Sequence, residues 1–312
     1  MPLLPPWHRS FTLDDAVHVA AGRQVVSITG STAALHAVAR VMEQLHGTDS
    51  VENLTAQTGL PVGVVRDVLA ALAESSLTMA GSPADLDHLE PGLLATASYV
   101  ASLGVNPAVL TECTELAARY RLLIVGAGQL RAVQQLRSSA LPAEQADLAD
   151  LEAADPARDV VMAVAGPGAP DDLLARVNDI AQRRSLVWLP VSGFDGASVA
   201  VGPLIIPGQT ACWACLVTRR AATTEYPTQS HVVQRVLPGA PLPAFVEAWW
   251  HSMAALLIAR WLLGADSWVP GRLLVLDVLA PELRTSVVAA VPRCTACRAP
   301  DWVATAAPWE PS

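Results

Sequence analysis

The chain of 312 residues contains no lysine, and all 20 of its basic residues are arginine. No lysine ammonium is therefore available to contact a phosphate or to form a Schiff base. Charge is also scarce: 16% of the residues are charged and the net charge is −9, whereas 52% are hydrophobic. This composition indicates a globular protein, and the negative charge disfavours nonspecific binding to nucleic acid or to anionic membranes.

Segments that would target or anchor the chain are also missing. The start, MPLLPPWHRSF, has neither the basic stretch nor the apolar stretch of a secretory signal, so we expect a cytoplasmic protein. The most apolar late segment, AFVEAWWHSMAALLIARWLLG, contains Glu247, His251 and Arg260. These side chains are costly in lipid but suit a helix packed inside a protein, so we expect no membrane span.

Cysteine is rare, yet four of the five cysteines form two CxxC pairs: Cys212 with Cys215, and Cys294 with Cys297. Two such pairs far apart in sequence are typical of a tetrathiolate zinc site. A single pair could be a redox motif, but the second pair would then be unexplained. Four thiolates leave no open coordination position, so we predict a structural Zn²⁺ ion. Cys113 is predicted to be a buried residue without a function.

The order of the predicted elements divides the chain into three parts. Residues 1–82 contain two strand-like segments, AVHVAA and RQVVSIT, and three segments with helical periodicity. The second of these ends at Gly59, and the third begins with Pro61 in its first turn. This pattern predicts a winged-helix-like module. Residues 83–118 are predicted to be a helical connector, and residues 119–312 a second domain.

Winged-helix modules commonly bind DNA, so one hypothesis is a zinc-containing transcription regulator. Through residue 90, however, four arginines oppose ten acidic residues, and the third helix offers only Arg66. A phosphate backbone requires several cations, so we expect no nucleic acid partner.

The same module could instead accept an extended peptide as an added strand. The groove would lie between the strand from Arg23 to Thr29 and the third helix. The predicted peptide-binding residues are Val25, Ser27, Val62, Arg66, Leu69 and Ala73. For Val25 and Leu69, an ordinary position in the core is the competing interpretation.

The second domain opens with RLLIVGAGQLRAVQQL, which predicts a buried strand, a glycine turn and a helix, as in a Rossmann-like unit. Gly126 and Gly128 are present, but Arg131 stands where the third glycine of the fingerprint belongs. No further strand is expected before DVVMAVAG, residues 159–166, and hence no acid that could hold a ribose. We predict a reduced Rossmann-like domain without cofactor-binding residues.

The GAG turn, SGFDG, GPLIIPGQTACWAC and VPRCTAC, in this order, resemble the ThiF/MoeB class of adenylating enzymes, the fold of ubiquitin activators. With a winged-helix module in front, the whole chain resembles the ThiF-like leader-peptide-binding proteins of thiazole/oxazole-modified peptide (RiPP) biosynthesis. The expected fold class is therefore α/β: a winged-helix-like module followed by a reduced Rossmann-like ThiF domain with a four-cysteine zinc site.

This resemblance implies a specific function. The N-terminal module would be a RiPP recognition element that captures the leader of a ribosomal precursor peptide. The ThiF-like body would dock on a YcaO cyclodehydratase, which forms azolines in the core peptide. The resemblance also implies a homodimer, the usual state of this fold.

Departures from the adenylating pattern favour a noncatalytic protein. Adenylating members of the family hold ATP with the third glycine, a ribose-binding acid, an arginine, a lysine and a magnesium-binding aspartate. Here Arg131 replaces the glycine, lysine is absent, and MAVAG stands where the aspartates would lie. We therefore predict no catalytic residues. The alternative within this class is an ATP-dependent peptide-adenylating enzyme.

Overall fold

The structure is a computed structural model of the whole chain. It describes residues 2–3, 9–13, 16–21, 24–45, 50–75, 77–80, 96, 99, 119–139, 141–166, 172–194, 196–223, 243–264 and 266–297. The chain divides into two compact units. The first contains Met1–Ala118 and Ala259–Asp266, and the second contains Arg119–Ile258 and Ser267–Ser312. Most of the predicted connector, including Cys113, lies outside the described residues.

Among its described residues, the first unit contains a three-stranded antiparallel sheet and the helices α1 to α3. The strands, in the order β2-β3-β4, are β2 (Arg9–Leu13), β3 (Ala16–Ala21) and β4 (Gln24–Thr29). The helices are α1 (Thr32–Glu43), α2 (Val51–Thr58) and α3 (Val62–Glu74). A short strand β1 (Pro2–Leu3) pairs antiparallel with β5 (Met79–Ala80).

Local sequence signals explain where these helices begin and end. The side chains of Ser31 and Ser50 accept hydrogen bonds from backbone N–H groups in the first turns of α1 and α2. Gly59 ends α2 in the left-handed conformation, as predicted. Pro61 occupies the N-cap of α3, one position before the first helical residue.

One face of the three-stranded sheet packs on the helices. The strand register places Val17 opposite Ile28 and Val19 opposite Val26, so these four side chains share a face. They pack with buried residues of the three helices, among them Leu35, Val41, Leu54, Val65 and Leu72. The opposite face exposes side chains of the outer strands, such as Phe11 and Val25, whereas His18 of the central strand is half-buried.

The second unit is built on a seven-stranded mixed sheet in the order β12-β11-β10-β9-β8-β6-β7. Its strands are β6 (Arg121–Gly126), β7 (Ala143–Gln145), β8 (Asp159–Val164), β9 (Val187–Ser192), β10 (Ser198–Val201), β11 (Arg272–Asp277) and β12 (Glu282–Val287). The four strands from β9 to β7 run parallel, and the remaining pairs are antiparallel.

The described residues of this part of the chain form five helices. They are α4 (Gln129–Ser138), α5 (Leu148–Ala153), α6 (Leu173–Arg184), α7 (Trp213–Thr223) and α8 (Ala244–Gly264), whose last residues fall in the first unit. Strand β8 is buried along its whole length, as expected for the centre of an α/β sheet. None of the described helices combines the length and the hydropathy needed to span a membrane.

The prediction that no strand lies between α4 and residue 159 was wrong. Residues Ala143–Gln145 form β7, which pairs parallel with β6 at the edge of the sheet. Three residues without a β-branched side chain give no strand signal in the sequence, and the pairing with β6 defines this one. The strand ends at Gln145, and the next acid, Asp147, accepts hydrogen bonds from two backbone N–H groups as the N-cap of α5.

Candidate metal centre, sheet crevice and peptide groove

The four cysteines of the two CxxC pairs meet in the second unit. Their sulfur atoms all lie within 4.8 Å of one another, a group that could hold a metal ion. The Sγ of Cys212 lies 3.8 Å from that of Cys215 and 3.7 Å from that of Cys294. The Sγ of Cys215 lies 3.6 Å from that of Cys297. A disulfide would require about 2 Å, so these are separate sulfurs gathered around one point.

The sulfur spacing matches a tetrahedral metal site. Zinc–thiolate bonds of about 2.3 Å in a tetrahedron place neighbouring sulfurs about 3.8 Å apart. Cys212 precedes α7 and Cys215 lies in its first turn, whereas the second pair follows β12. The backbone N–H of Val291 donates to the Cys215 sulfur at 3.3 Å. This hydrogen bond links the first CxxC pair to the segment that leads to the second pair.

Burial controls the protonation of these thiols. Cys212 and Cys215 are fully buried, and burial raises the pKa of Cys212 far above that of a free thiol. Burial also raises the pKa of Cys297, to about 11. For Cys294, backbone N–H groups of Ala296 and Cys297 outweigh burial and lower the pKa to about 7. A cation at the centre would stabilise all four thiolates, so metal binding is expected to release protons.

The parallel strands create a crevice of the kind that holds ligands in α/β proteins. Strand β7 lies on one side of β6 and β8 on the other, so the direction of winding changes between β6 and β8. Ligands of such sheets bind beyond the carboxyl ends of the strands at this point. Gly126 ends β6 with a φ of 106°, and a Cβ there would lie 2.2 Å from the carbonyl oxygen of Val164. The backbone conformation and this close contact therefore require glycine at position 126.

Helix α8 fills the space beside this crevice. A Cβ on Gly128, the N-cap of α4, would lie 3.3 Å from Oε1 of Glu247. Glu247 is 14% exposed and pairs with Arg131, the residue that replaces the third glycine. The ring of Trp250, which is 1% exposed, would lie 3.2 Å from a Cβ on Gly166, just beyond the end of β8. A carboxylate and an indole of the chain itself thus border the position where a bound phosphate would lie.

The next helical turn brings a buried histidine to the same side of α8. His251 is 3% exposed, and its Nε2 has no hydrogen-bond partner among the residues that the structure describes. Burial lowers the pKa of His251, Arg131 lowers it further, and Glu247 opposes both effects. The imidazole is therefore neutral at pH 7. The sequence singled out Glu247 and His251 only as polar residues of a helix packed inside the protein, and no feature of it placed Glu247, Trp250 or His251 beside the glycine turn.

The predicted peptide-binding residues occupy two elements of the first unit. Val62, Arg66 and Ala73 are exposed along one face of α3, and Leu69 on the same face is half-buried against the core. Val25 is 58% exposed, so it is not a core residue. Strand β4 is an edge strand, with no strand hydrogen-bonded to its outer side among the described residues.

Register places the side chains of Val25 and Ser27 on the face of the sheet that points away from the helices. Ser27 lies opposite His18, and its hydroxyl contacts Nδ1 of His18 at 2.9 Å. The side chains on the helix side of β4 are Val26 and Ile28, which are half-buried against the same core as Leu69. The sequence analysis missed these two, although the alternation of the strand could have identified them.

Known structures share this architecture. A heterocyclase solved in complex with substrate and cofactor matches over 95% of this chain, with a TM-score of 0.71 and 21% sequence identity. The heterocyclase TruD matches over 95% with a TM-score of 0.68 and 20% identity. E. coli MccB, solved with MccA-N7isoASN, matches over 95% with a TM-score of 0.65 and 12% identity. The chain has the fold of these three proteins.

The lengths of the matching proteins differ. This chain covers 39% and 42% of the two heterocyclases, whereas it covers 99% of MccB. The chain thus spans about two fifths of each heterocyclase. No family model matches the sequence, and no curated protein matches it.

Proposed function

We propose that this chain binds the leader of a ribosomal precursor peptide and presents the core peptide to a separate YcaO cyclodehydratase, without catalysing a reaction itself. The observation that carries the proposal is the open edge of β4 on a module whose α3 exposes a continuous side-chain face. An edge strand presents backbone N–H and C=O groups that an extended peptide satisfies as an added strand.

The side chains around β4 fit an extended occupant. A peptide added to this edge would alternate its side chains between the two faces of the sheet. On one face its neighbours are Val25 and Ser27, and on the other they are the apolar Val26 and Ile28. Arg66 on α3 adds a cation that an acidic leader side chain could contact. The N-terminal module would then act as a RiPP recognition element.

The crevice of the second unit supports a noncatalytic role. Transfer of an adenylyl group requires cations and a metal placed around the phosphates. Here the chain has no lysine, Arg131 is engaged by Glu247, and Trp250 lies against the bend after β8. Asp147, the first acid after β7, caps α5. These residues of the chain itself border the crevice, and their contacts are explained without a bound nucleotide.

The similarity to heterocyclases supports the proposal that this chain binds the peptide and that a second protein catalyses the reaction. This chain has the fold of part of each matching heterocyclase, and it would act together with an activity of the YcaO type, which we propose lies in a partner. The four cysteines would hold a structural Zn²⁺, since the sulfur spacing fits a tetrahedral ion and no coordination position stays open. An adenylating enzyme remains the second candidate, because MccB shares the fold over nearly its full length.

The peptide site is tested by fluorescence polarisation. The probe would be the fluorescein-labelled leader of a candidate precursor, sought as a short Cys/Ser/Thr-rich open reading frame among the genes that neighbour this one. Arg66→Glu is expected to weaken binding about tenfold, because it replaces a cation on the exposed face of α3 with an anion. Arg66 is exposed, so the melting temperature should not change.

Arg40→Glu is the matched control. Arg40 is an exposed arginine of α1 in the same unit, and its reversal changes the net charge equally. Leader affinity should remain within about twofold of the wild-type value. Equal losses for both variants would point to a general charge effect, and wild-type affinity for Arg66→Glu would remove α3 from the site.

A further inference from the structure

A buried polar side chain lies beside the first CxxC pair. Asn178 is 2% exposed and is the polar member of the six buried residues of α6. The other five are apolar and pack in the core: Leu173, Leu174, Val177, Ile180 and Ala181. An amide in such a position is costly unless it is hydrogen-bonded, so its partner indicates what it does.

The partner of Asn178 is the turn that carries two of the cysteines. Oδ1 of Asn178 accepts a hydrogen bond from the backbone N–H of Trp213 at 3.0 Å, across 35 positions of sequence. Trp213 directly follows Cys212 and is the first residue of α7. An N–H group in the first turn of a helix has no partner within that helix. Asn178 therefore supplies the acceptor from a different element of the fold.

The side chain of Trp213 holds the same turn. Its ring centroid lies 6.4 Å from that of Trp188, which is fully buried in β9. Trp213 also packs against the core beneath α6 and against the apolar residues around the four cysteines. The backbone and the side chain of this residue are thus both attached to the core of the second unit.

Helix α7 in turn contacts the segment that leads to the second CxxC pair. Arg219 lies four residues after Cys215, on the same face of the helix, and donates to the carbonyl oxygen of Ala290 at 3.1 Å. The N–H of the next residue, Val291, donates to the Cys215 sulfur at 3.3 Å. Cys294 follows three residues later. The placement of the first turn of α7 therefore affects where the sulfurs of both pairs lie.

We propose that Asn178 is a positioning residue of the metal centre: its amide fixes the first turn of α7, so that the sulfurs are already gathered when the ion binds. Four thiolates complete the coordination, so Asn178 acts through the N–H of Trp213 rather than as a ligand. Without this hydrogen bond the ion would have to order the turn, which lowers its affinity. This role rests on the metal centre proposed above and is independent of the proposed peptide binding.

Cobalt titration of the reduced, metal-free, full-length chain tests this role. The wild type should bind Co²⁺ with the visible absorption bands of a tetrahedral thiolate site. Asn178→Ala should raise the dissociation constant for Co²⁺ at least about tenfold, because hydrogen-bond partners of metal ligands typically change metal affinity by about 10-fold to 100-fold. The shape of the bands should not change, since all four thiolates remain.

Two further substitutions at this position separate the hydrogen bond from the loss of side-chain volume. Asn178→Asp keeps an oxygen in the place of Oδ1 and should bind Co²⁺ within about twofold of the wild type, because both side chains serve as acceptors at helix starts. Asn178→Ser carries a hydroxyl that can bond to a carbonyl of its own helix but is too short to reach Trp213. It should show the same loss as Asn178→Ala, also where the alanine variant does not fold.

Ile180→Ala is the matched control. Ile180 is 7% exposed on the same helix and packs in the same core, but residues two positions apart on a helix point in different directions. The substitution should lower the melting temperature and leave the Co²⁺ affinity within about twofold of the wild type. Equal losses of affinity for Ile180→Ala and Asn178→Ala, or wild-type affinity in both Asn178→Ala and Asn178→Ser, overturn the role of Asn178 while the metal centre stands. A wild type without the cobalt bands overturns the metal centre itself, and this role with it.

Discussion

A buried carboxylate, that of Asp159, is expected to contribute to the stability of the second unit. The carboxylate of Asp159 at the start of β8 is almost fully buried and accepts two hydrogen bonds from Arg121, at 2.8 and 2.7 Å. Burial alone would raise the pKa of Asp159, but Arg121 and the N–H of Asp155 together hold it below the ordinary value. The folded state therefore stabilises the ionised carboxylate more than the unfolded chain does, so protonation of Asp159 should destabilise the fold.

Asp159→Asn is expected to lower the free energy of unfolding at pH 7 by about 1–3 kcal/mol, because it removes charge-assisted hydrogen bonds from a buried position. Since the folded pKa is depressed, the stabilisation is present above the unfolded pKa of 3.8 and is lost as pH falls through the lower, folded value. Urea titrations should show the difference between wild type and variant shrinking below pH 4.

Glu144→Gln is the matched control for this effect. Glu144 also pairs with Arg121, at 3.2 Å, but its side chain is 42% exposed. Solvent screens such a pair, so the unfolding free energy should change by less than about 1 kcal/mol. A cost for Asp159→Asn no larger than for Glu144→Gln would contradict the assigned role of burial.

At the scale of elements, the cluster of four cysteines joins segments that are distant in sequence. It connects the start of α7 to the segment after β12, and further hydrogen bonds run between the same two regions. Arg219 of α7 donates to the carbonyl oxygen of Ala290 at 3.1 Å, and Val291 donates to the Cys215 sulfur. A metal ion at this position would fix both regions against the core.

Elemental analysis of the purified chain should find one zinc ion per chain. Cys297→Ser should abolish this zinc and lower the melting temperature, because three thiolates hold the ion less well and the two regions lose their link. Cys113→Ser should retain zinc, since Cys113 lies far from both CxxC pairs in the sequence. Iron in place of zinc, or full zinc in Cys297→Ser, would contradict the assignment.

At the scale of the whole molecule, this chain would recognise the leader peptide, and a partner would catalyse the reaction. The first unit would hold the leader at β4, and the crevice of the second is bordered by Glu247, Arg131 and Trp250. Under this proposal the chain would bind a substrate without activating it. ATP-dependent chemistry would then require the YcaO partner.

Two assays separate a presenter from an adenylating enzyme. The chain with the full precursor peptide and ATP should show no pyrophosphate exchange above the rate without protein. Addition of the YcaO protein should give ATP-dependent loss of water from the core peptide, by about 18 Da per ring in mass spectra, with a far lower rate if this chain is omitted. Pyrophosphate exchange by the chain alone would favour the adenylating alternative.

The sequence by itself determined the features that depend on local or strongly patterned signals. The helices of the first unit follow from serine caps, Gly59 and apolar periodicity, and β6 and β8 from continuous apolar runs. The two CxxC pairs predicted all four cysteines of the sulfur cluster, because few functions other than metal binding explain that spacing.

Other features of the fold and of the crevice depend on the tertiary structure and could not be predicted from the sequence. Strand β7 exists through its pairing with β6, and the side-chain direction of Val25 and Ser27 depends on the register with β3. Glu247 and Trp250 lie more than 110 residues from the glycine turn, and only the packing of α8 brings them to the crevice. Contacts between residues so distant in the chain leave no periodic pattern in the sequence, because they depend on how the elements pack rather than on local propensity.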